Sequence, residues 1–250
     1  MAADQKGLAG HLEYLDAMGI QVWRRRELPR EQTVEETVDA GAESVENPAA
    51  VPQVAIESQE ALSDWQTLEQ QVTGCTRCEL HQTRTQAVFG VGNKQADWLI
   101  IGEAPGADED RLGEPFVGRA GKLLDQMLLA IGLSRETVYI ANILKCRPPN
   151  NRDPKSEEVA CCDAYLKRQI ELIQPKIILT VGRIASQNLL KTEERIGAMR
   201  GRRFEYADTG IPVVVTYHPA YLLRAPSEKR KTWQDLLLAR QVMAESSPAD

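Results

Sequence analysis

The fold is decided by WLIIGEAPGADEDRLGEPFVGRAGKLL, residues 98–124, where a buried strand runs directly into a Gly-rich loop and then a helix. The run WLIIG shows no alternation of polar and apolar residues, which is typical of a strand covered on both faces. Three further apolar runs occur at 138–144, 176–182 and 212–217. Helical patterns lie between the runs, at 120–131, 157–173 and 184–190. This alternation predicts an α/β domain whose sheet is mainly parallel and covered on both faces.

The Gly-rich loop follows the carboxyl end of the first strand, where open α/β sheets bind their ligands. Its glycines let the backbone approach a ligand, and the helix start near 118–121 can attract phosphate. It is not a P-loop, because Gly121-Lys122 lacks a following Ser or Thr, and no G-x-G-x-x-G follows a strand. A purely structural loop is the plain alternative. We favour a binding loop because four polar or aromatic side chains cluster in it: Glu103, Glu109, Asp110 and Phe116.

Composition and charge indicate a soluble, intracellular protein whose body can bind phosphate. Hydrophobic residues make up 42% of the 250 residues, yet no apolar run reaches the roughly 20 residues of a membrane helix. The N-terminus lacks the pattern of a signal peptide. Residues 1–70 carry 5 Lys/Arg against 14 Asp/Glu, whereas the remaining residues carry 25 against 22. The net charge of −6 therefore comes from an acidic front and does not exclude a nucleic-acid partner.

The five cysteines are more consistent with metal ligands than with disulfides in a reducing compartment. Cys75 and Cys78 form a C-x2-C knuckle, Cys146 follows the second strand, and Cys161 and Cys162 enter the next helix. Together they could close a four-thiolate site that ties the N-terminal segment to the sheet. This spacing does not separate structural zinc from an iron–sulfur cluster. The alternative is that the knuckle holds two small buried hydrophobes.

A histidine-containing segment, HPAYLLRAPSEKRK (218–231), directly follows the fourth strand. A lone histidine is more often structural than catalytic. Here His218 lies at a strand's carboxyl end, before a turn fixed by proline, which favours a functional role. Residues 195–231 carry 8 Lys/Arg against 3 Asp/Glu, so this region can offer a strip for phosphates.

Two segments precede the α/β domain. Residues 27–58 are rich in Glu, Pro, Ala and Val, which is the composition of a linker. Before them, HLEYLDAMGIQVWRRR (11–26) is amphipathic and ends in three arginines. This pattern fits a docking peptide on a tether, or else a short helix that rests on the body's own surface. A helix is predicted at 62–72, leading to Cys75.

Four features in the right order resemble the iron–sulfur uracil-DNA glycosylases of family 4: GEAPG…EPFVGRAG, ANILKCRPP, HPAYLLR and the cysteines. The resemblance covers about residues 65–244 and implies a monomeric three-layer α/β/α sandwich with a four-stranded parallel sheet. The domain would span 61–244, after a docking segment at 1–26 and a disordered acidic linker at 27–60, with a disordered tail at 245–250. The resemblance also implies a 4Fe–4S cluster whose ligands are Cys75, Cys78, Cys146 and Cys162, with Cys161 as a bystander.

The same resemblance implies that the chain flips uracil out of DNA and hydrolyses its N-glycosidic bond, leaving an abasic site. Phe116 would stack on the uracil, Asn142 would read its edge, and His218 would donate to O2. Cytosine presents the opposite pattern at the edge atoms, so it would be rejected. The other residues implied at the pocket and at the DNA are Gly102, Ala104, Leu222 as the wedge, Arg147 and Arg224.

One position departs from the commonest uracil-DNA glycosylases, which carry a water-positioning aspartate where this sequence has Ala104. Our hypothesis is therefore a largely dissociative cleavage, in which Glu103 or Glu109 holds the water or steadies the sugar cation. The sequence also lacks a KRRIH-type insertion after the second strand, the mark of relatives that become trapped on DNA. We expect ordinary turnover.

The N-terminal segment YLDAMGIQVWRRR is similar to the opening segment of the psi subunit of bacterial clamp-loader complexes. This similarity implies a clamp-loader or replisome contact through residues 11–26, with the linker raising the effective concentration. We expect the protein in the cytoplasm, associated with the nucleoid and not with a membrane.

Two other functions compete with base excision. One is a non-catalytic nucleic-acid-binding scaffold with a structural zinc site. The other is an α/β phosphohydrolase that uses Glu103, Glu109 and Asp110 as metal ligands. A broad visible absorbance would distinguish an iron–sulfur protein from the zinc scaffold. Loss of activity in a chelator would favour the phosphohydrolase.

Overall fold

The computed structural model describes residues 54–207 and 209–246. The docking segment predicted at 1–26 and most of the linker predicted at 27–60 lie outside these residues, as do residues 247–250 of the tail. The first described element is helix α1 (Val54–Thr73), which begins well before the helix predicted from residue 62.

The four predicted apolar runs form the centre of a six-stranded sheet. In chain order the strands are β1 (Val91–Gly92), β2 (Trp98–Gly102), β3 (Tyr139–Asn142), β4 (Ile177–Val181), β5 (Arg203–Tyr206) and β6 (Ile211–Thr216). Their spatial order is β1-β3-β2-β4-β6-β5. β2 pairs in parallel with β3 and β4, and β4 pairs in parallel with β6. The predicted parallel sheet is confirmed, although the whole sheet has six strands and not four.

The two additional strands lie at the edges, where β1 is antiparallel to β3 and β5 is antiparallel to β6. β1 is only two residues long, and β5 alternates exposed and half-buried residues. Neither strand forms an apolar run, because an edge strand is covered less completely than a central one. This is why the sequence pattern does not predict them.

Helices cover both faces of the sheet. After α1 they are α2 (Ala107–Leu112), α3 (Arg119–Ala130), α4 (Ser156–Ile173), α5 (Arg183–Leu190), α6 (Ile196–Met199), α7 (Pro219–Arg224) and α8 (Lys229–Ser246). The three helices predicted between the strands correspond to α3, α4 and α5. None of the helices in the described part of the chain combines the length and the apolar character needed to cross a membrane.

Two apolar cores lie on opposite faces of the sheet. Along β2, Leu99 and Ile101 belong to one core and Ile100 to the other, as the pleat of a strand requires. The first core includes side chains of α1, α4 and α5, and the second includes side chains of α3, α7 and α8. This arrangement confirms the three-layer α/β/α sandwich.

The carboxyl ends of the four parallel strands meet at one edge of the sheet. Gly102 ends β2 and is the direct partner of Asn142, which ends β3. Gly182 follows β4, and His218 lies two residues beyond the end of β6. The edge therefore gathers the residues that the motifs single out.

Candidate active site

Gly102, Phe116 and Asn142 meet at the carboxyl end of β2. A Cβ atom on Gly102 would lie 2.4 Å from Asn142 Oδ1 and 2.5 Å from Phe116 Cζ. Both distances are shorter than non-bonded carbon atoms tolerate, so only glycine allows this approach. The predicted pocket residues are thus brought together by the absence of a side chain at Gly102.

Phe116 is fixed through its backbone in a conformation that most residues avoid. Its φ angle is 55°, in the left-handed region. The Arg135 guanidinium donates to the carbonyl oxygens of Phe116, at 3.1 Å, and of Pro115, at 2.8 Å. A Cβ atom on Gly121 would lie 1.7 Å from the Phe116 carbonyl oxygen, so the start of α3 also packs directly on this backbone. These contacts hold the phenyl ring beside Asn142 at the cost of local strain.

His218 completes the group, which we call the pocket: Gly102, Phe116, Asn142 and His218. Its imidazole stacks on the Phe116 ring, with centroids 5.7 Å apart and planes inclined by 29°. The backbone N–H of Ala220 donates to His218 Nδ1 at 3.1 Å. Because Nδ1 accepts this bond, the proton of the neutral ring lies on Nε2. Burial, and then the positive charge of Arg224, lower the pKa of His218 to about 4, so the ring is a neutral donor at pH 7.

Asn142 presents an unusual polar atom to the pocket. The residue is 2% exposed, and its Oδ1 atom has no hydrogen-bond partner among the residues that the structure describes. Buried polar atoms are nearly always paired, so this oxygen is free to accept a hydrogen bond from a ligand or from water. The backbone carbonyl of Asn142, in contrast, accepts a bond from Lys145 Nζ at 3.0 Å.

The two candidate carboxylates have different environments. Glu109 is bound by three backbone N–H groups, those of Gly106, Val117 and Gly118, at 3.0–3.1 Å. Its carboxylate therefore braces the Gly-rich loop on both sides of α2. Glu103 directly follows β2, and its carboxyl group is influenced by the charges of Asp153 and Arg183. Burial, and then Asp153, raise the pKa of Glu103 to about 7, whereas Arg183 acts in the opposite direction.

Ala104 and Asp110, two further residues of the Gly-rich loop, have different surroundings. Ala104 is half-buried and packs against the first core. Asp110 is buried and accepts a bond from the backbone N–H of Thr85 at 2.9 Å, so it is bound within the protein.

Leu222 is placed differently from the prediction that it acts as a DNA wedge. Its side chain is 0% exposed and belongs to the second core. The exposed positions of α7 are Tyr221, Leu223 and Arg224. Two adjacent leucines in a six-residue helix carry no periodicity that would reveal which one is buried, and here the core takes Leu222. The predicted wedge role would therefore require the Leu222 side chain to leave the second core.

The two basic residues predicted to contact DNA differ in how firmly the protein holds their side chains. Arg224 is exposed at the end of α7. Arg147 is half-buried and donates through Nε to Asn151 Oδ1 at 2.8 Å. Arg147 is thus partly fixed within the segment that leads from β3 to α4.

The predicted metal ligands Cys75, Cys78, Cys146 and Cys162 form a second group, the cysteine region. All four are free thiols, and all four lie in or against the first core. Burial, followed by the nearby Cys146 and Cys78, raises the pKa of Cys162 to about 11. The thiols are thus close enough to disfavour each other's ionisation, although no set of three or more His, Cys, Asp or Glu side chains in the described residues has metal-ligand geometry. Cysteine thiols that influence one another's pKa are the type of donor that an iron–sulfur cluster takes.

Arg84 and Cys161 distinguish the members of the cysteine region. Arg84 donates to Cys146 Sγ at 2.9 Å and to the carbonyl of Thr73 at 2.8 Å. Burial raises the pKa of the Cys146 thiol, and the Arg84 bond lowers it. Cys161 is half-exposed and its thiol donates to the carbonyl of Arg77 at 3.3 Å, whereas Cys162 is buried. Burial and, to a lesser extent, the Cys161 thiol raise the pKa of Cys78, and the assignment of Cys162 as the fourth ligand stays a prediction from the resemblance.

Three residues that the sequence analysis does not single out take part in this architecture: Arg84, Arg135 and Lys145. Arg84 and Arg135 lie outside the motifs, and no sequence signal marks them. Lys145 lies within ANILKCRPP, but its burial at 1% exposure is a property of the fold. A lysine directly before a cysteine ligand is the only signal that could have drawn attention to it.

Comparison with known proteins bears on the same residues. The model of the family described as the Uracil DNA glycosylase superfamily matches residues 89–237. The chain is 45% identical over 195 residues to the type-4 uracil-DNA glycosylase of Archaeoglobus fulgidus, covering 76% of this chain and 96% of that protein. It is 44% identical over 163 residues to the type-4 enzyme of Thermotoga maritima, covering 65% and 84%.

A more distant relative is the type-5 uracil-DNA glycosylase of Pyrobaculum aerophilum, which is 31% identical over 150 residues and covers 52% of this chain and 64% of that protein. The type-4 relatives are thus similar over most of their own length and at higher identity. The chain belongs to the uracil-DNA glycosylase superfamily and, within it, to the type-4 uracil-DNA glycosylases.

Proposed function

We propose that the chain starts base excision repair by binding a flipped-out uracil in the pocket and hydrolysing its N-glycosidic bond. The observation that carries this proposal is the buried Oδ1 atom of Asn142, which has no partner among the described residues and meets the Phe116 ring at Gly102. The Phe116 ring in turn stacks on His218. The Asn142 oxygen can accept from uracil N3–H while the amide nitrogen donates to O4. Cytosine offers an acceptor at N3 and a donor at C4, so both bonds would fail and buried polar groups would stay unpaired.

Phe116 and His218 act on the ring and on the leaving group. The phenyl ring of Phe116 stacks on the uracil face, and Arg135 keeps it in place. His218 Nε2–H donates to uracil O2, where negative charge develops as the glycosidic bond breaks. A donor that is already oriented stabilises this charge in the transition state, and one such donor contributes about 2.7–4 kcal/mol.

Glu103 holds the attacking water or steadies the sugar cation in this proposal. Its carboxyl group makes no strong ion pair, and its raised pKa keeps it available for proton exchange near neutral pH. Glu109 already accepts three backbone N–H bonds, which favours a positioning role for it in the loop. The reaction remains largely dissociative, because Ala104 supplies no carboxylate.

The cysteine region holds a 4Fe–4S cluster in this proposal, through Cys75, Cys78, Cys146 and Cys162. The cluster supplies positive charge that stabilises the thiolates and a rigid tie between α1, the end of β3 and α4. Arg84 supports it by donating to Cys146 Sγ. No step of the uracil reaction passes through it.

The proposal also covers how the protein contacts DNA and a clamp loader. Arg224 and Arg147 contact the DNA backbone near the pocket, and the protein works as a monomer on uracil-containing DNA in the cytoplasm, at the nucleoid. Residues 11–26 tether it to a clamp loader. Pull-down of clamp-loader subunits with the full chain and with residues 27–250 tests the tether, and equal recovery would exclude it.

Release of free uracil from a labelled oligonucleotide tests the activity directly, with the absorption spectrum recorded on the same sample. We expect uracil release that persists in a metal chelator, together with a broad visible absorbance. Activity that the chelator abolishes would instead support the phosphohydrolase alternative. A colourless protein that contains zinc and releases no uracil would support the scaffold.

A further inference from the structure

Helix α7 exposes an aromatic residue beside the pocket. Tyr221 is 37% exposed and Leu223 is 38% exposed, whereas Leu222 between them is buried. The helix begins directly after His218, so Tyr221 lies one turn from the ring that faces the uracil site. Large apolar side chains exposed next to a binding pocket commonly serve recognition.

The ring of Tyr221 is supported by a column of contacts in which it lies tilted by 47° on the Tyr217 ring. Its centroid lies 4.9 Å from that of Tyr217, and the Arg200 guanidinium carbon lies 4.4 Å from the Tyr217 centroid. Arg200 Nε is fixed by Asp235 Oδ2 at 2.7 Å, and Asp235 is 1% exposed. The column therefore runs from a buried ion pair out to a partly exposed ring.

This support matters because a rigid ring loses little conformational entropy on binding. Thr216 strengthens the base of the column by donating to the same oxygen of Asp235 at 2.8 Å. Tyr217 directly precedes His218, so the column and the pocket are built on the same short segment after β6. A ligand that stacks on Tyr221 is consequently held at a fixed position relative to the pocket.

The surroundings of Tyr221 indicate a nucleobase as this ligand. Exposed cations follow it along the chain, at Arg224, Lys229 and Arg230, and these can bind the phosphates on either side of a base. Nucleobases stack on aromatic side chains with about 1–3 kcal/mol per base. An apolar protein partner would not require these exposed cations.

We propose that Tyr221 is a stacking platform for the base next to the flipped-out uracil nucleotide. Stacking on Tyr221, which is exposed where Leu222 is buried, compensates the neighbouring base for its lost partner. This inference rests on the proposed function, since it places uracil in the pocket.

The test uses the full-length protein and an oligonucleotide with 2-aminopurine next to 2′-fluoro-deoxyuridine, which resists cleavage. Stacking quenches 2-aminopurine fluorescence. In the complexes with the wild type and with Tyr221→Phe, we expect the 2-aminopurine fluorescence to be quenched, because the base stacks on an aromatic ring. We expect Tyr221→Ala to lose the quenching and to bind about tenfold more weakly, while the salt dependence of binding stays unchanged because no charge is removed.

Leu223→Ala is the matched control, since it removes an apolar side chain of similar exposure from the same helix but no aromatic face. It should bind and quench as the wild type does. The proposal is overturned if Tyr221→Ala keeps the affinity and the quenching, or if Leu223→Ala weakens binding more than Tyr221→Ala. Uracil release by the wild type is measured in parallel, so failure of the proposed function is seen separately as absence of release.

Discussion

The pocket and the cysteine region approach within four residues of each other in the chain, at Asn142 and Cys146, yet they are held in different ways. The pocket is shaped by the polypeptide alone, through the close approach at Gly102 and the left-handed backbone of Phe116. In the cysteine region, burial raises the pKa of the thiols Cys146 and Cys162. In the proposed function, uracil recognition is therefore built into the fold, whereas thiolate ligands would depend on added positive charge.

Lys145 lies between the two regions. It is 1% exposed, and its Nζ atom donates to the Asn142 carbonyl at 3.0 Å and to Gln169 Oε1 at 2.6 Å. Its own backbone lies against Cys162, whose thiol receives a hydrogen bond from it. The segment from 142 to 146 is therefore a physical link, and the predictions below test how independent the two regions are.

The largest effect is expected in the cysteine region. Cys162→Ala should lose iron and visible absorbance and give little folded protein, because a four-thiolate site then lacks a ligand. Cys161→Ala should retain both, since its thiol is half-exposed and donates only to the Arg77 carbonyl. Iron content and absorbance measure the outcome. Loss of iron from Cys161→Ala with retention in Cys162→Ala would reverse the assignment.

In the pocket, His218→Ala should lower the single-turnover rate of uracil release about 10²–10³-fold while DNA affinity stays close to that of the wild type, because the donor acts mainly in the transition state. The pKa of His218 is about 4, so its ring stays neutral from about pH 5 upwards and adds no inflection there. Rates for wild type and variant across this range provide the check. A variant with the wild-type rate would remove His218 from the mechanism.

Glu103→Gln is expected to lower release about tenfold or more above pH 7. The pKa of Glu103 is raised to about 7, so the wild-type carboxylate forms as the pH rises through 7 and the rate should rise with it. The variant should lose this inflection. Glu136→Gln, at a fully exposed site, is the control and should keep the wild-type profile. If the pH profile of Glu103→Gln keeps the inflection, another group must cause the inflection.

The smallest effect tests the link itself. Lys145→Met leaves the buried carbonyl of Asn142 without its donor, which costs about 1–3 kcal/mol. We expect a lower free energy of unfolding together with release reduced about tenfold, whereas Lys167→Met, at the surface, should change neither. Denaturant unfolding and single-turnover release measure the two quantities. Lower stability with unchanged release would show that the two regions are independent.

Sequence patterns predicted the parts of this molecule that depend on local order along the chain. The four central strands are apolar throughout because both of their faces are covered, so these strands and the edge that gathers Asn142 and His218 could be predicted. Leu222 could not be placed, because burial within HPAYLLR depends on how α7 packs on the second core. The bracing by Arg135 and Glu109 also depends on contacts between distant segments, which leave no periodic signal.

The most direct test of the central claim, that the pocket built around Asn142 reads uracil, is single-turnover uracil release by Asn142→Ala. Asn188→Ala serves as the control, since Asn188 lies on α5 and donates only to the Ile184 carbonyl. The account predicts that Asn142→Ala loses about a hundredfold or more of the rate while its visible absorbance is unchanged, and that Asn188→Ala matches the wild type. Uracil release by Asn142→Ala at the wild-type rate would contradict it.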